Sequence, residues 1–167
     1  MTWNWPLWAG PAQMPEDPGR FGAVRKHDIH TGVDLYTRLG MPVVTVEEGT
    51  VVGIEKFTGP EAGSPWWHDT EAVLVEGLSG VVVYGEIGPL RHIEVGMELE
   101  RCACVGAVKT VLRKDKGRPM NMLHFELYEH GARETVWWRL GEPRPPGLLD
   151  PTERLVEAMG QYKKGLC

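Results

Sequence analysis

The chain has 167 residues, with 18 Lys and Arg against 23 Asp and Glu, and a formal net charge of −5. This length suits one domain with one core, and a hydrophobic content of 42% excludes wholesale disorder. The acidic balance argues against a nucleic-acid partner, because no strong positive field exists to collect phosphates.

The first eighteen residues are rich in Trp and Pro, and the first basic residue is Arg20. We interpret them as an extended arm that lies over the domain with its indole rings packed. A basic amino-terminal region followed by a long apolar run is absent here, so no secretory signal is predicted, and no segment is apolar enough to span a membrane. We therefore expect a protein that is cytoplasmic as synthesised.

Short segments rich in β-branched residues follow the arm and are interrupted by Gly and Pro, a pattern typical of strands. The chain contains 21 Gly and 13 Pro, which favours many loops over a helical bundle. We expect a long surface loop at 58–70 and hairpin turns at 47–49 and 77–80. The predicted strands are 41–46, 50–57, 71–76, 81–87, 97–103, 107–112, 121–128 and 135–140.

One helix is predicted near the end of the chain. Asp150 suits the N-cap and Pro151 suits the first helical position. Leu155, Met159 and Tyr162 recur at helical spacing and form one apolar face. The proline-rich segment 143–146 is a stiff connector to this helix. The fold class is therefore all-β dominated, with a C-terminal helix.

Three cysteines are an odd number and do not form a disulfide framework. Cys102 and Cys104 are two residues apart, and Cys167 is the last residue. We expect Cys102 and Cys104 to be small, buried, apolar residues, as free cysteines often are.

Two histidines have neighbouring residues that suggest a functional site. His30 and Asp34 are four residues apart, on either side of Gly32. In segment 122–127, side chains alternate across a strand, which places Leu, Phe and Leu on one face and Met, His124 and Glu on the other. Two imidazoles and one carboxylate form a chemically sensible zinc set that leaves a fourth position for water. The spacing of the first pair alone is weak evidence for a metal.

Six motifs in order, within residues 19–128, resemble those of the lysostaphin-type zinc endopeptidases that cut cell-wall peptides, also called the β-lytic or Gly-Gly endopeptidase family. They are Gly19-Arg20-Phe21-Gly22 with Arg25 ("FGxR"), His30 to Leu35 ("HxGxDL"), Gly40 to Val44 with Glu48 to Val52 ("GTPV…GxV"), Tyr84 to Ile87 ("YxHL"), Ile93 to Gly96 with Cys104 to Gly106 ("VxxG…IG"), and Leu123 to Glu126 ("HxHFE").

The resemblance implies a central antiparallel sheet with a groove across it. It implies one Zn²⁺ held by His30, Asp34 and His124, and a peptide or cell-wall peptidoglycan as the ligand of the groove. It divides the chain into an arm at 1–18, a peptidase-like domain at 19–141, and a connector with a helix at 142–167. By analogy, a cell-wall protein without a signal reaches its target through lysis or as part of a phage particle.

The chain departs from the family at two positions. The histidines that flank the zinc-bound water in the family correspond here to Glu86 and Met122. A thioether neither takes up a proton nor donates a hydrogen bond to an oxyanion. A carboxylate can act as a general base beside zinc, so Glu86 is the candidate catalytic base. We interpret His68 and His92, the other candidates for a missing donor, as ordinary surface histidines.

Three hypotheses follow. The first is a zinc peptide hydrolase in which Glu86 is the base. The second is a catalytically inactive, zinc-bearing module that binds a peptide, a glycan or a protein, which the loss of both histidines favours. The third is a structural β-protein without a metal. In the adjacent pairs Trp66-Trp67 and Trp137-Trp138, one ring of each would face outward on a strand and could stack on a sugar or a peptide. The alternative is that most of the tryptophans fill the core and anchor the amino-terminal arm.

Overall fold

The computed structural model describes residues 2–165, in which nine strands and one α-helix follow one another along the chain. No helix within these residues has the length and apolar character needed to cross a membrane. The elements are β1 (Val33–Tyr36), β2 (Pro42–Val44), β3 (Gly49–Thr58), β4 (Thr70–Gly77), β5 (Gly80–Pro89), β6 (Glu98–Leu99), β7 (Cys104–Val108), β8 (Met122–Tyr128), β9 (Leu148–Leu149) and α1 (Thr152–Lys163).

All the strands belong to one antiparallel sheet. Its main order is β1-β8-β5-β4-β3-β6, while β7 joins β2 to the end of β5, and β9 pairs with β8. Strand β8 lies between β1 and β5, and all seven of its residues are buried. The predicted fold class is therefore confirmed, because antiparallel strands dominate and one helix follows them.

The two faces of the sheet carry different side chains. Leu123, Phe125 and Leu127 of β8 belong to the larger apolar core, as the alternation of the sequence predicted. Tyr128 belongs to a smaller cluster on the opposite face, with Val81, Val83 and Leu148 among its members. His124, which is two residues from Glu126 and four from Tyr128, shares that opposite face.

The amino-terminal arm and the helix both pack on the larger core. Trp3 and Trp5 are buried, whereas Trp8 is 63% exposed, so only part of the predicted indole packing is found. The Trp3 ring meets Phe125 edge to face at 5.5 Å. Leu155 is buried on the inner face of α1. The division of the chain at residues 18 and 141 stays a prediction. The segments on both sides of the predicted domain pack on the same core as the sheet.

The helix begins one residue later than predicted, at Thr152, with Pro151 rather than Asp150 at the N-cap. The Asp150 carboxylate accepts a hydrogen bond from the Thr152 amide at 2.9 Å, and so satisfies one of the free N–H groups of the first turn. Leu155 is fully buried on the predicted apolar face, while Met159 and Tyr162 pack against the core from its edge.

Several local predictions were wrong. Segment 135–140 forms no strand, because Val136 and Trp138 pack on the smaller cluster instead of joining the sheet. Segments 97–103 and 107–112 contain only the two residues of β6 and the last two of β7. Strand β1 was missed, since its four residues include Asp34 and lack a continuous apolar run.

The expectation for the cysteines was also wrong. Cys104 is exposed with a free thiol, and Cys102 is partly exposed and disulfide-bonded. Both residues lie where the chain turns into β7, so they contribute little to the core. Cys167 lies outside the described residues.

Candidate metal centre

His30, Asp34 and His124 come together on the second face of the sheet. Asp34 on β1 lies directly opposite His124 on β8, and His30 lies just before β1. All three residues are buried, and their ligating atoms lie within 4.8 Å of one another. The sequence interpretation named these three residues, which are up to 94 positions apart, and the fold brings them into contact.

Three atoms face one another at the centre of this cluster. His30 Nε2 lies 3.1 Å from Asp34 Oδ1 and 3.2 Å from His124 Nδ1, and His124 Nδ1 lies 2.9 Å from Asp34 Oδ1. Ligands of a tetrahedral zinc ion with bonds of 2.0–2.1 Å are separated by about 3.3 Å. The side chains therefore fit a small divalent cation with little movement.

The outer nitrogen of each ring has its own acceptor, which sets the tautomer. His30 Nδ1 lies 2.9 Å from the Arg20 carbonyl oxygen, which can only accept, so we assign the proton to Nδ1. His124 Nε2 lies 2.8 Å from Glu126 Oε1 and donates to it. Both rings consequently present the opposite nitrogen to the centre, which is the form that binds a metal.

Glu126 collects donors from three sides. Its carboxylate accepts hydrogen bonds from His124 Nε2, from the Thr31 hydroxyl at 2.5 Å and from the Tyr128 hydroxyl at 2.8 Å. It is 1% exposed, so these three donors replace its water. The sequence interpretation assigned Glu126 no role, although its position two residues after His124 already placed it on the same strand face.

Arg25 holds the other oxygen of Asp34. Its Nη2 donates to Asp34 Oδ2 and to the Pro18 carbonyl, each at 3.0 Å. This contact leaves Asp34 Oδ1 directed at the two imidazoles. Arg25 was noted in the sequence as part of a motif without a role, and the structure places it as the partner that orients Asp34.

The electrostatics of the cluster favour a bound cation. Burial opposes the charge on Asp34, but hydrogen bonds from His124 and His30 outweigh it and hold the Asp34 pKa well below its usual range. Burial also opposes a charge on His124, yet its hydrogen bonds to Asp34 and Glu126 raise its pKa to about 10. Two ring nitrogens and a carboxylate oxygen that converge require a positive charge between them, either a proton or a metal.

Glu86 lies beside the cluster on a bulge in β5. The register between β4 and β5 shifts at this point, and Glu86 has a φ of 62°, in the left-handed region. Its Oε2 atom is buried without a hydrogen-bond partner. Burial and the charge of Asp34 raise its pKa to about 8, against the lowering effect of His124 and Arg25.

Of the remaining sequence candidates, Met122 lies at the site, whereas the two other histidines and the outer tryptophans are exposed. Met122 is buried two residues before His124 on the same strand, so a thioether occupies this end of the site. His68 and His92 are both exposed, in keeping with their interpretation as surface residues. Trp66 is 60% exposed and Trp137 is 75% exposed, and each is the outward member of its pair.

At the level of sequence, no protein-family model and no curated protein matches the chain. Solved structures do match. A protein assigned to peptidase family M23 from Pseudomonas aeruginosa is 16% identical with a TM-score of 0.55, and the match covers 94% of this chain and 51% of that one. A substituted catalytic domain of the prophage-encoded M23 protein EnpA from Enterococcus faecalis is 19% identical with a TM-score of 0.56, over 89% and 95%.

The catalytic domain of the antimicrobial peptidase lysostaphin from Staphylococcus simulans also matches, at 17% identity and a TM-score of 0.52, over 91% and 92% of the two chains. The chain spans only part of the length of some matches. It covers 51% of the Pseudomonas aeruginosa protein and 36% of a zinc-containing peptidase from Vibrio cholerae. These likenesses establish that the chain has the lysostaphin-type fold of the M23 peptidases, as the motifs predicted.

Proposed function

We propose that the chain binds one zinc ion through His30, Asp34 and His124 and acts on bacterial cell-wall peptide as a slow metallopeptidase. The observation that carries the proposal is the convergence of three metal-ligating atoms, with both imidazole tautomers fixed by acceptors outside the cluster. A zinc ion held there supplies a bound water of lowered pKa and polarises the peptide carbonyl.

Glu86 is the proposed general base. A pKa of about 8 leaves this carboxyl mostly protonated at pH 7, so it acts as a base only in its ionised form, which a higher pH or a nearby cation favours. In that form its buried, unpartnered Oε2 accepts a proton from the attacking water and passes it to the leaving amine. Arg25 and Glu126 act through the ligands, since they fix the orientation of Asp34 and His124. Because Met122 donates no hydrogen bond to an oxyanion, we expect a rate about 10²–10³ below that of a site with a donor at this position.

The second candidate is a binding module that holds the peptide without cutting it. The observation in its favour is the pair of side chains that replace the two histidines, a thioether at 122 and an unpaired carboxyl at 86. In this case the metal would stabilise the groove, and no base would be needed.

Metal analysis of the purified protein is the first test. We expect one zinc per chain, lost in His30→Ala and kept in the matched control His92→Ala, whose histidine is exposed and apart from the cluster. A metal-free wild-type protein with an unchanged melting temperature after zinc addition would contradict both candidates.

Incubation with purified peptidoglycan separates the two candidates. New amino termini that accumulate with wild type and disappear in Glu86→Gln support the peptidase. Cleavage that survives Glu86→Gln contradicts the role of Glu86. Saturable binding without cleavage supports the binding module and removes the peptidase.

A further inference from the structure

The loop between β7 and β8 carries a concentration of positive charge. Residues 113–118 contain four Lys or Arg and one Asp, and all of them are exposed. The Asp115 carboxylate accepts the Gly117 amide at 2.8 Å, so it is engaged in the turn of the loop. None of the four cationic groups forms an ion pair with any residue of the described range 2–165.

This basic loop lies at one end of the candidate metal centre. It leads into β8 through Asn121, which precedes Met122, and the Asn121 carbonyl accepts the Thr37 amide at 3.2 Å. Tyr36, two residues after Asp34, lies opposite Met122. The positive charges therefore border the face on which the metal ligands lie.

The base of the loop is fixed to the neighbouring loop at 59–69. Leu112 forms a bridge with Trp67, the His68 amide donates to the Val111 carbonyl at 2.8 Å, and Arg113 Nε donates to the Trp67 carbonyl at 3.1 Å. Together these contacts hold the basic loop in place beside the exposed ring of Trp66. We call the surface formed by residues 113–118 and the exposed Trp66 the basic rim. The loop at 59–69 contributes the aromatic ring and also two exposed acids, Glu61 and Asp69, so the positive charge comes from 113–118 alone.

A local excess of unpaired cations in a chain of net charge −5 attracts anions selectively to this end of the molecule. Guanidinium and ammonium groups form charge-assisted hydrogen bonds with carboxylates. We propose that the basic rim binds the carboxylate groups of an acidic peptide and so selects anionic peptides for the groove. This inference rests on the proposed function, which makes a peptide the ligand of the groove.

Fluorescence anisotropy with two labelled peptides of equal length tests the inference. One peptide alternates Gly with Glu, and the other alternates Gly with Gln. We expect the acidic peptide to bind about tenfold more tightly at low salt, because several exposed ion pairs contribute a fraction of a kcal/mol each. The preference shrinks as salt is raised towards 0.5 M. Lys114→Gln/Lys116→Gln reduces the preference. Lys163→Gln/Lys164→Gln, at the carboxyl end of α1, removes the same amount of charge and leaves the preference intact.

Equal affinity for the two peptides, or equal loss in the two double variants, overturns the inference. A linear polyphosphate of matched charge that displaces the acidic peptide with equal affinity also overturns it, because the rim would then bind phosphate polymers. If the protein binds zinc and peptidoglycan but does not prefer the acidic peptide, only this inference is wrong. If it prefers the acidic peptide but does not bind zinc, only the proposed function is wrong.

Discussion

Gly32 shows why a residue without a side chain stands between two proposed metal ligands. A Cβ at this position would lie 2.4 Å from the Phe125 carbonyl oxygen and 3.0 Å from His124 Nε2. The segment from His30 to Asp34 therefore approaches β8 more closely than any other residue type permits. This approach is what places the two imidazoles within contact distance.

We expect Gly32→Ala to lower the free energy of unfolding by about 3 kcal/mol, because the obstructing atom belongs to the backbone of a central strand. Gly160→Ala is the control, since a Cβ at that helical position meets nothing within 4 Å. It should raise stability by about 0.5–1 kcal/mol. Urea unfolding measures both, and a neutral Gly32→Ala would contradict the close approach.

Under the proposed peptidase activity, the side chain at position 122 controls the rate of cleavage. Met122 lies on the same strand as His124, two residues before it, where a side chain faces the same side of the sheet. A thioether at this place leaves the site without the hydrogen-bond donor that an imidazole would provide.

Met122→His should raise the rate of peptidoglycan cleavage by up to about 10²–10³-fold, because it adds a donor to the developing oxyanion. Met120→His, outside the strand, is the matched control and should leave the rate unchanged. The release of amino groups per hour provides the measurement. An equal effect of both variants would show that an added histidine acts without regard to its position.

At the scale of elements, one carboxylate fastens the segment that follows β8. Glu76 on β4 accepts the Gly131 amide at 2.8 Å and pairs with Arg133 at 3.2 Å. The amide hydrogen bond lowers its pKa below the usual 4.5, with burial opposing and Arg133 assisting. Segment 129–133 is thereby tied to the sheet next to Tyr128, whose hydroxyl bonds Glu126.

Glu76→Gln should lower the free energy of unfolding by about 1 kcal/mol at pH 7. Because the folded-state pKa is depressed, this contribution is complete above about pH 5 and is lost as the pH falls through the folded pKa. Urea unfolding at pH 7 and pH 3 should show a smaller difference from wild type at the lower pH. Glu98→Gln, at an exposed strand position, is the control. An equal difference at the two pH values would contradict the ionic origin.

At the scale of the whole molecule, a metal ion would link segments that are distant in the chain. His30 and Asp34 lie at the edge of the sheet, whereas His124 lies on a central strand. An ion bound to all three stabilises the folded state only, because the ligands separate on unfolding.

Zinc at one hundred times its dissociation constant should stabilise the protein by about 2.7 kcal/mol, which corresponds to a rise in Tm of about 5–10 °C at this chain length. Asp34→Asn should abolish most of the rise. Asp115→Asn, in the basic loop, should retain it. Thermal unfolding with zinc and with a chelator measures the effect, and an equal rise in both variants would place the binding elsewhere.

The proposed ligands were predictable because the resemblance of the ordered motifs named them. The spacing of His30 and Asp34 and the alternation around His124 agree with that set but are weak evidence by themselves. Local capping signals placed the start of the helix within one residue of its position at Thr152. Glu126 was missed because its role also depends on a donor from Thr31, which is 95 residues away in the sequence. The sequence supplies no rule for which of several buried acids accepts which donor.

The sequence by itself determined the class of fold, the three proposed ligands and the helix, because periodicity, capping residues and ordered motifs act over short distances. Only the tertiary structure decided that His30 and His124, 94 residues apart, are in contact, that Glu86 lies on a bulge and that the basic loop borders the same face. Such placements depend on the register of paired strands, which is set by the burial of the whole core rather than by any single segment.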